Sequence, residues 1–232
     1  MERPDAADLM ATIATELLSE PSEVVTTQAI VDRAVEIVEG ADHASLTVRA
    51  RKNHSTKAST SELAAALDAA QYDLGEGPCV DTAEAGEWYR SGDVARDPRW
   101  PRWGAVAAEQ GVQSLLSVQL LTKGESFGAL SLYSEQPGRF ADNEVVDLAQ
   151  LYTVHAANAL VSAQLVTGLE TALSSRHDIG VAQGILMARY GLTADQAFAA
   201  LRRVSQHRNV KLRDVALDVQ RTGELHEAPP RA

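Results

Sequence analysis

From Asp142, a natural helix cap, to Leu173 the sequence can run almost unbroken as one long helix, with Gly168 its one weak point. That helix constrains the architecture more than any other stretch, because it carries two apolar faces. Leu151, Val154, Asn158, Val161 and Leu165 follow alternating three- and four-residue steps, the spacing of a coiled-coil seam, and an Asn on such a seam can fix register and two-stranded pairing. Leu148, Tyr152, Ala156 and Ala159 occupy a second face that could lie against a sheet. A single core uses one face, so the seam is expected to pair with a second copy in a homodimer. The alternative is one amphipathic helix of a monomeric domain.

On the N-terminal side the pattern mixes helix and strand. Leu9, Ile13 and Leu17 space a short helix over 5–20, interrupted by Pro21 and Ser22, and a second helix over 24–39 stops at Gly40. His43–Arg51 alternates Ser45, Thr47 and Arg49 against Ala44, Leu46 and Val48, a strand with one face buried. A small helix at 61–71 is capped by Thr60 or Ser61, and Gly75-Glu-Gly-Pro78 forces a turn. Trp88 to Trp103 reads as loop, followed by a helix over 102–110. Ser114–Leu121 and Phe127–Tyr133, joined by the Lys123-Gly124-Glu125 turn, read as an antiparallel hairpin in the centre of a sheet. Past Ser174 no strand pattern remains. Helices at 176–190, 194–206 and 211–221, the second capped by Thr193, form a compact three-helix bundle. The chain is therefore an α+β protein in four parts: a mixed helix-and-strand domain over 1–143, a coiled-coil linker helix over 144–173, a bundle over 174–225, and a tail over 226–232 expected to be disordered.

Charge separates the same parts. Residues 1–173 carry 12 Lys/Arg against 26 Asp/Glu, whereas residues 174–225 carry 8 against 5. The acidic part repels polyanions and the basic part attracts them; two modules that simply differ in surface charge are the plainer account. No apolar run approaches the roughly 20 residues that cross a bilayer, and the polar N-terminus is unlike a secretion signal. The single cysteine, Cys79, makes no intrachain disulfide and fits a reducing, cytoplasmic setting. Catalytic signatures are missing: no His-Glu-x-x-His, no Walker-type loop, no Gly-x-Ser-x-Gly, and six histidines without ligand spacing. The chain is expected not to be an enzyme, to hold no metal and to sit at no membrane.

Residues 176–221 closely resemble the ANTAR domain, the RNA-binding antitermination module of bacterial sensory regulators. The likeness is carried by Ile179-Gly-Val-Ala-Gln-Gly-Ile-Leu-Met187, Gly191-Leu-Thr-Ala-Asp-Gln-Ala-Phe198, Leu201-Arg-Arg-Val-Ser205 and Asn209-Val-Lys-Leu-Arg-Asp-Val-Ala216. Residues 20–165 resemble a GAF domain, a small-molecule sensory fold with an antiparallel sheet between helices. Tyr72-Asp-Leu-Gly-Glu-Gly-Pro-Cys79 and Gly92-Asp-Val-Ala-Arg-Asp-Pro-Arg-Trp100 are similar to the GAF domains fused to ANTAR in actinobacterial regulators. The resemblance implies an RNA partner, namely paired stem-loops in leader transcripts whose capture prevents a terminator hairpin, and a dimer that sets two RNA readers side by side. It names neither cofactor nor signal, which could be a small molecule or a redox change.

The candidate RNA-contacting residues are Arg202, Arg203, Ser205, Gln206, Arg208, Asn209, Lys211 and Arg213, which crowd the end of one bundle helix and the start of the next. Arginine and lysine would hold phosphates, while Ser205, Gln206 and Asn209 would read base edges in a loop. A solvated basic face with Asn209 as a helix cap is the alternative. Ile179, Ala182, Leu186, Phe198, Leu201, Leu212 and Val215 are expected in the bundle core, which leaves no aromatic platform for base stacking. In the sensory part, Trp88, Trp100 and Trp103 flank Arg96, Arg99 and Arg102, either as a ligand lid or anion-binding edge or as aromatics packed over the sheet. Cys79 is either a redox or ligation point or a buried thiol. The Asn-Lys…Asp-Glu pattern of cyclic-nucleotide GAF domains is lacking. A DNA-binding repressor and a sensor that docks a protein partner remain as alternatives to the RNA reading.

Overall fold

The computed structural model describes residues 6–19, 22–50, 53–85, 87–122 and 124–226, in two compact units that divide between Leu165 and Val166. Pro21, Arg51, Lys123 and the expected disordered tail beyond His226 lie outside the described residues.

The first unit holds helices α1 (Ala6–Leu18) and α2 (Glu23–Ile37), strands β1 (His43–Ala50) and β2 (Asn53–Ser59), helices α3 (Glu62–Leu74) and α4 (Pro78–Ala85), strand β3 (Tyr89–Ser91), helix α5 (Pro101–Glu109) and strands β4 (Ser114–Thr122) and β5 (Glu125–Ser134). The strands form one antiparallel sheet in the order β2-β1-β5-β4-β3, so the anticipated hairpin β4–β5 lies inside the sheet with β5 at its middle. Local chemistry places the helix ends. Ser22 and Ser61 each cap a helix start by accepting from the backbone N–H three residues on, and Gly75 closes α3 in the left-handed conformation that glycine adopts freely.

Two layers cover the sheet. Alternate residues Ala44, Leu46, Leu116, Val118, Leu130 and Leu132 point to α1, α2 and the start of helix α6 (Asn143–Tyr190), where Ile13, Ile30, Val31, Tyr152 and Ala156 complete the core. The Tyr152 hydroxyl donates to the Ile30 carbonyl at 2.7 Å, tying α6 to α2. The opposite face carries Leu115 and Tyr133 against α3 and α5, with Trp100 and Trp103 buried among them. There α5 meets a short 3-10 turn, Val94–Arg96, closely enough that a Cβ on Gly104 would sit 2.1 Å from the Val94 carbonyl oxygen.

Four sequence expectations change. Strand β1 is buried on both faces, because Ser45 and Thr47 turn their hydroxyls into a polar cluster under α3 rather than into water. Strand β2 is polar but for Ala58 and sits at the sheet edge, so no apolar alternation announced it. Helix α4 starts at the end of the Gly75–Pro78 turn, where no pattern marks a helix, and strand β3 lies within what reads as loop; β3 is three residues long and exists by pairing with β4. Helix α6 continues through Ser174 and Ser175 to Tyr190, 48 residues in all, so the linker helix and the first bundle helix are one element. Gly168 and the two serines are weak helix formers, each costing up to about 1 kcal/mol. That is too little to break a helix propagating from both sides.

Along α6 the two faces separate as the spacing indicates. Tyr152, Ala156 and Ala159 are buried, whereas Leu151, Val154 and Leu165 are 42%, 49% and 63% exposed, with Asn158 exposed among them and Val161 half-buried.

The second unit packs the end of α6 with α7 (Ala194–Arg208) and α8 (Leu212–Thr222) around Ala182, Leu186, Ala197, Leu201, Val204, Val215, Ala216 and Val219. Thr193 and Gln196 form a reciprocal capping box at the start of α7. Phe198 is not in this core: it is 39% exposed, because α7 turns Ala197, Leu201 and Val204 inward and leaves position 198 at the rim.

Candidate nucleic-acid interface and sensory core

The eight basic and polar candidates of the bundle divide by what their side chains already hold. Arg213 donates through Nε to Asp178 Oδ2 at 2.8 Å and through Nη2 to Ser174 Oγ at 2.9 Å, fastening α8 to α6. Arg208 is mostly buried, with Nη1 3.7 Å from Asp218 Oδ2. Ser205 donates its hydroxyl to the Val210 carbonyl at 2.7 Å, and Asn209 ends α7 with φ at +51°, where its backbone N–H meets the Gln206 and Ser205 carbonyls. These four shape the α7–α8 corner. Arg202, Arg203, Gln206 and Lys211 are exposed and bind no carboxylate among the described residues. The first three lie on the side of α7 opposite its buried residues, and Lys211 starts α8.

The exposed rim of Phe198, one helical turn before Arg202, supplies an aromatic that the sequence reading assigned to the interior. Arg221 reaches Asp218 Oδ1 at 2.7 Å and lines a groove of about 350 Å³ with Arg208, Asp214 and Leu217. Its signal was a basic residue in the last turn of α8.

In the first unit Trp100 and Trp103 are packed edge-to-face and buried. Their N–H groups are spent on Asp81 Oδ2 at 2.7 Å and on the Leu67 carbonyl at 3.1 Å. Trp88 is partly exposed and stands apart, with the Arg90 guanidinium 5.7 Å from its ring centre. Of the three arginines, Arg99 binds Asp97 and stacks 4.3 Å over Trp100, Arg102 binds Glu76, and Arg96 lies 3.7 Å from Asp93. Cys79 is fully buried, donates to Thr47 Oγ1 at 3.0 Å, and has its thiol pushed up by burial and by Asp68 nearby. It is not the partly exposed, activated thiol that a positive neighbourhood would make.

The residue that organises this layer is Asp68, wholly buried on α3. Its carboxylate accepts from Tyr133 at 2.7 Å, Thr56 at 2.8 Å, Ser45 at 3.0 Å and Thr47 at 3.4 Å. Burial raises its pKa, and the four hydroxyls pull the other way without overcoming it. Tyr72 shares hydrogen bonds with Thr47 and Thr56, and the Cys79 N–H donates to Gln71 Oε1, so the centre of this face is filled by the chain's own polar groups. The only sequence signal was an acid set in the alanine-rich run Ala64-Ala-Ala-Leu-Asp68.

The family model for the GAF domain matches residues 20–161, and that for the ANTAR domain matches residues 167–219. Among solved structures the chain is similar to the GAF domain of an Acinetobacter phosphoenolpyruvate-protein phosphotransferase, at 15% identity and TM-score 0.56, over 72% of this chain and 99% of that one. The GAF domain of the corresponding Coxiella burnetii protein is similar at 18% identity and TM-score 0.55, over 70% and 96%. Free methionine-R-sulfoxide reductase from Neisseria meningitidis, in complex with its substrate, is similar at 14% identity and TM-score 0.56, over 72% and 96%. At these identities the likeness shows the fold. No curated protein matches the chain. Among the described residues no helix is long and apolar enough to cross a membrane.

Proposed function

The chain belongs to the GAF domain family and carries an ANTAR domain behind it, and on that premise we propose that it is a signal-responsive RNA-binding regulator. In this reading it acts in the cytoplasm as a homodimer. It promotes transcription antitermination by capturing paired hairpins of a nascent leader transcript.

The observation that carries the reading is the set of unengaged cations Arg202, Arg203 and Lys211 beside Gln206, in a chain whose N-terminal part is strongly acidic. Cations already neutralised by carboxylates release no counterions from RNA, whereas free ones do. Arg202, Arg203 and Lys211 therefore take the phosphates, Gln206 reads a base edge, and Ser205, Arg208, Asn209 and Arg213 hold the corner that presents them. Phe198 lies where a loop base could stack. The bare apolar seam of α6 supports the dimer, since water is a poor neighbour for Leu151, Val154 and Leu165. A signal that changes how the two copies of α6 pair would shift the population of RNA-competent dimers.

The test is a filter-binding titration of the full chain against a tandem-hairpin RNA, with duplex DNA of matched length as control. Hairpin-selective binding that weakens in Lys211→Ala supports the reading. Equal, weak binding to both nucleic acids overturns it in favour of a protein partner; tighter binding to the duplex favours a DNA-binding regulator.

A further inference from the structure

The start of α6 is held by a side chain from the far edge of the sheet. Arg90, the middle residue of β3, donates through Nη1 to the Phe140 carbonyl at 3.3 Å, the Ala141 carbonyl at 3.0 Å and Asn143 Oδ1 at 3.1 Å. Asn143 is the first residue of α6. A cation beside a helix start opposes the helix dipole, so hydrogen bonds rather than the helix field keep Arg90 there. One backbone bond accompanies them, from the Gly138 N–H to the Gly92 carbonyl at 2.9 Å. The support is slight, since β3 is an edge strand that pairs only Tyr89, Arg90 and Ser91 with β4. A cleft of about 240 Å³ beside it, lined by Arg90, Ser91, Gly92, Phe140 and Ala141, leaves this segment room to shift.

Behind Arg90 the contacts continue in series. The Arg90 carbonyl accepts from Arg99 Nη2 at 2.6 Å. Arg99 also binds Asp97 through Nε and Nη2 and lies 4.3 Å over the Trp100 ring. Trp100 is buried and gives its N–H to Asp81 Oδ2 at 2.7 Å. Asp81 stands in the first turn of α4, in the wall of a cleft of about 390 Å³ shared with Asn53 and His54 of β2, Tyr72 of α3, and Val80 and Glu84 of α4. The series thus has one end at a cleft on the α3–α4 face of the sheet. Its other end is the first turn of the helix that packs on the opposite face. Arg102 is the contrast, because its hydrogen bonds go to Glu76 and to the Leu74 carbonyl.

We propose that Arg90 is a positioning residue through which the α4 side of the N-terminal domain governs the first turn of α6, by way of Asp81, Trp100 and Arg99. A change at the cleft that moves Asp81 reseats Trp100 and the guanidinium stacked on it. That moves the Arg90 carbonyl, and with it the side chain that holds Phe140, Ala141 and Asn143. The helix so released or tightened is the one that runs unbroken to Tyr190.

The assignment rests on the signal-responsive reading of the chain, and its test uses no RNA, so failure here and failure of the hairpin titration are separate results. Amide hydrogen exchange on the full chain, read by mass spectrometry at 143–150 with 125–134 of β5 as internal reference, reports opening of the first turns of α6. The variants are Arg90→Met, Asp81→Ala and the two combined. Each single change is expected to speed exchange at 143–150 about fivefold while the β5 segment is unaltered. The double variant is expected to exchange no faster than Arg90→Met alone, because Asp81 acts through Arg90; two independent structural losses would multiply. Arg99→Met, at a partly exposed side chain, breaks the series at its middle and must reproduce Asp81→Ala, which covers the case of an Asp81 variant that melts early. Arg102→Met is expected to leave 143–150 as it was. Unaltered exchange in Arg99→Met, multiplying effects in the double variant, or an Arg102→Met as fast as Arg90→Met overturns the proposal.

Discussion

Removing the three unengaged cations of the bundle together, as Arg202→Ala/Arg203→Ala/Lys211→Ala, tests the RNA interface against a number. Each phosphate contact that displaces a counterion adds about 0.7 on single strands to about 0.9 on duplex to the slope of log affinity against log salt. Losing three contacts lowers that slope by about 2 to 3. Between about 50 and about 200 mM salt, the unaltered chain then loses about 20- to 40-fold more affinity than the triple variant does. Arg213→Ala is the control that the geometry supplies. Its guanidinium is held by Asp178 and Ser174, and Asp178 is largely buried, so the change leaves the slope nearly intact while costing on the order of 1–2 kcal/mol of bundle stability. The assay is filter binding to the tandem-hairpin RNA across a salt series, with a urea midpoint for each variant. A triple variant with the unaltered slope refutes the reasoning, as does a folded Arg213→Ala that loses slope as an outward cation would.

Three further outcomes follow from the packing. Leu165→Asp, at a side chain 63% exposed on the seam, is expected to yield a monomer in sedimentation without loss of helical signal; a dimer that persists removes the seam as its interface. Gly104→Ala drives a methyl to 2.1 Å from the Val94 carbonyl oxygen and is expected to cost about 1–3 kcal/mol in the urea midpoint, so an unchanged midpoint contradicts the close approach. His54 has its folded pKa below the unfolded value of about 6.5, so the unfolded chain binds more protons in the window beneath that pH. Stability should therefore fall as pH drops from there through the folded pKa, and His54→Gln should flatten that part of the profile; an identical profile in the variant counts against a buried neutral imidazole.

Regular patterns were legible because they repeat. The two faces of α6, the apolar runs of β4 and β5 and the capped starts of α3 and α7 are each stated by residue type and spacing alone. Patterns that depend on a neighbour were not legible. Strand β2 reads Asn-His-Ser-Thr-Lys-Ala-Ser and becomes a strand by pairing with β1, and β3 is extended because β4 lies beside it. Local preference pointed Phe198 inward, yet the phase of α7 is set by Ala197, Leu201 and Val204 docking on the core, which leaves Phe198 at the surface. The continuity of α6 through Ser174 and Ser175 is likewise cooperative, and no single residue there announces it.

The candidate sites divide along the same line. The basic cluster at the α7–α8 corner was visible as composition, since charge needs no partner to be counted. Which of its members are free was not: Arg213 and Asp178 are 35 positions apart in the chain, and only the packing of α8 on α6 spends one on the other. The same holds on the sheet, where Asp68 gathers hydroxyls from β1, β2 and β5, and where His54 and Glu84 close a cleft from two separate elements. Sequence alone thus determined the elements that a repeating pattern marks and the sign of the charge each part carries, because these are properties of single residues and short periods. Tertiary structure decided which polar groups are satisfied and which are left to bind something else, because a hydrogen bond or an ion pair belongs to two residues that the chain itself keeps apart.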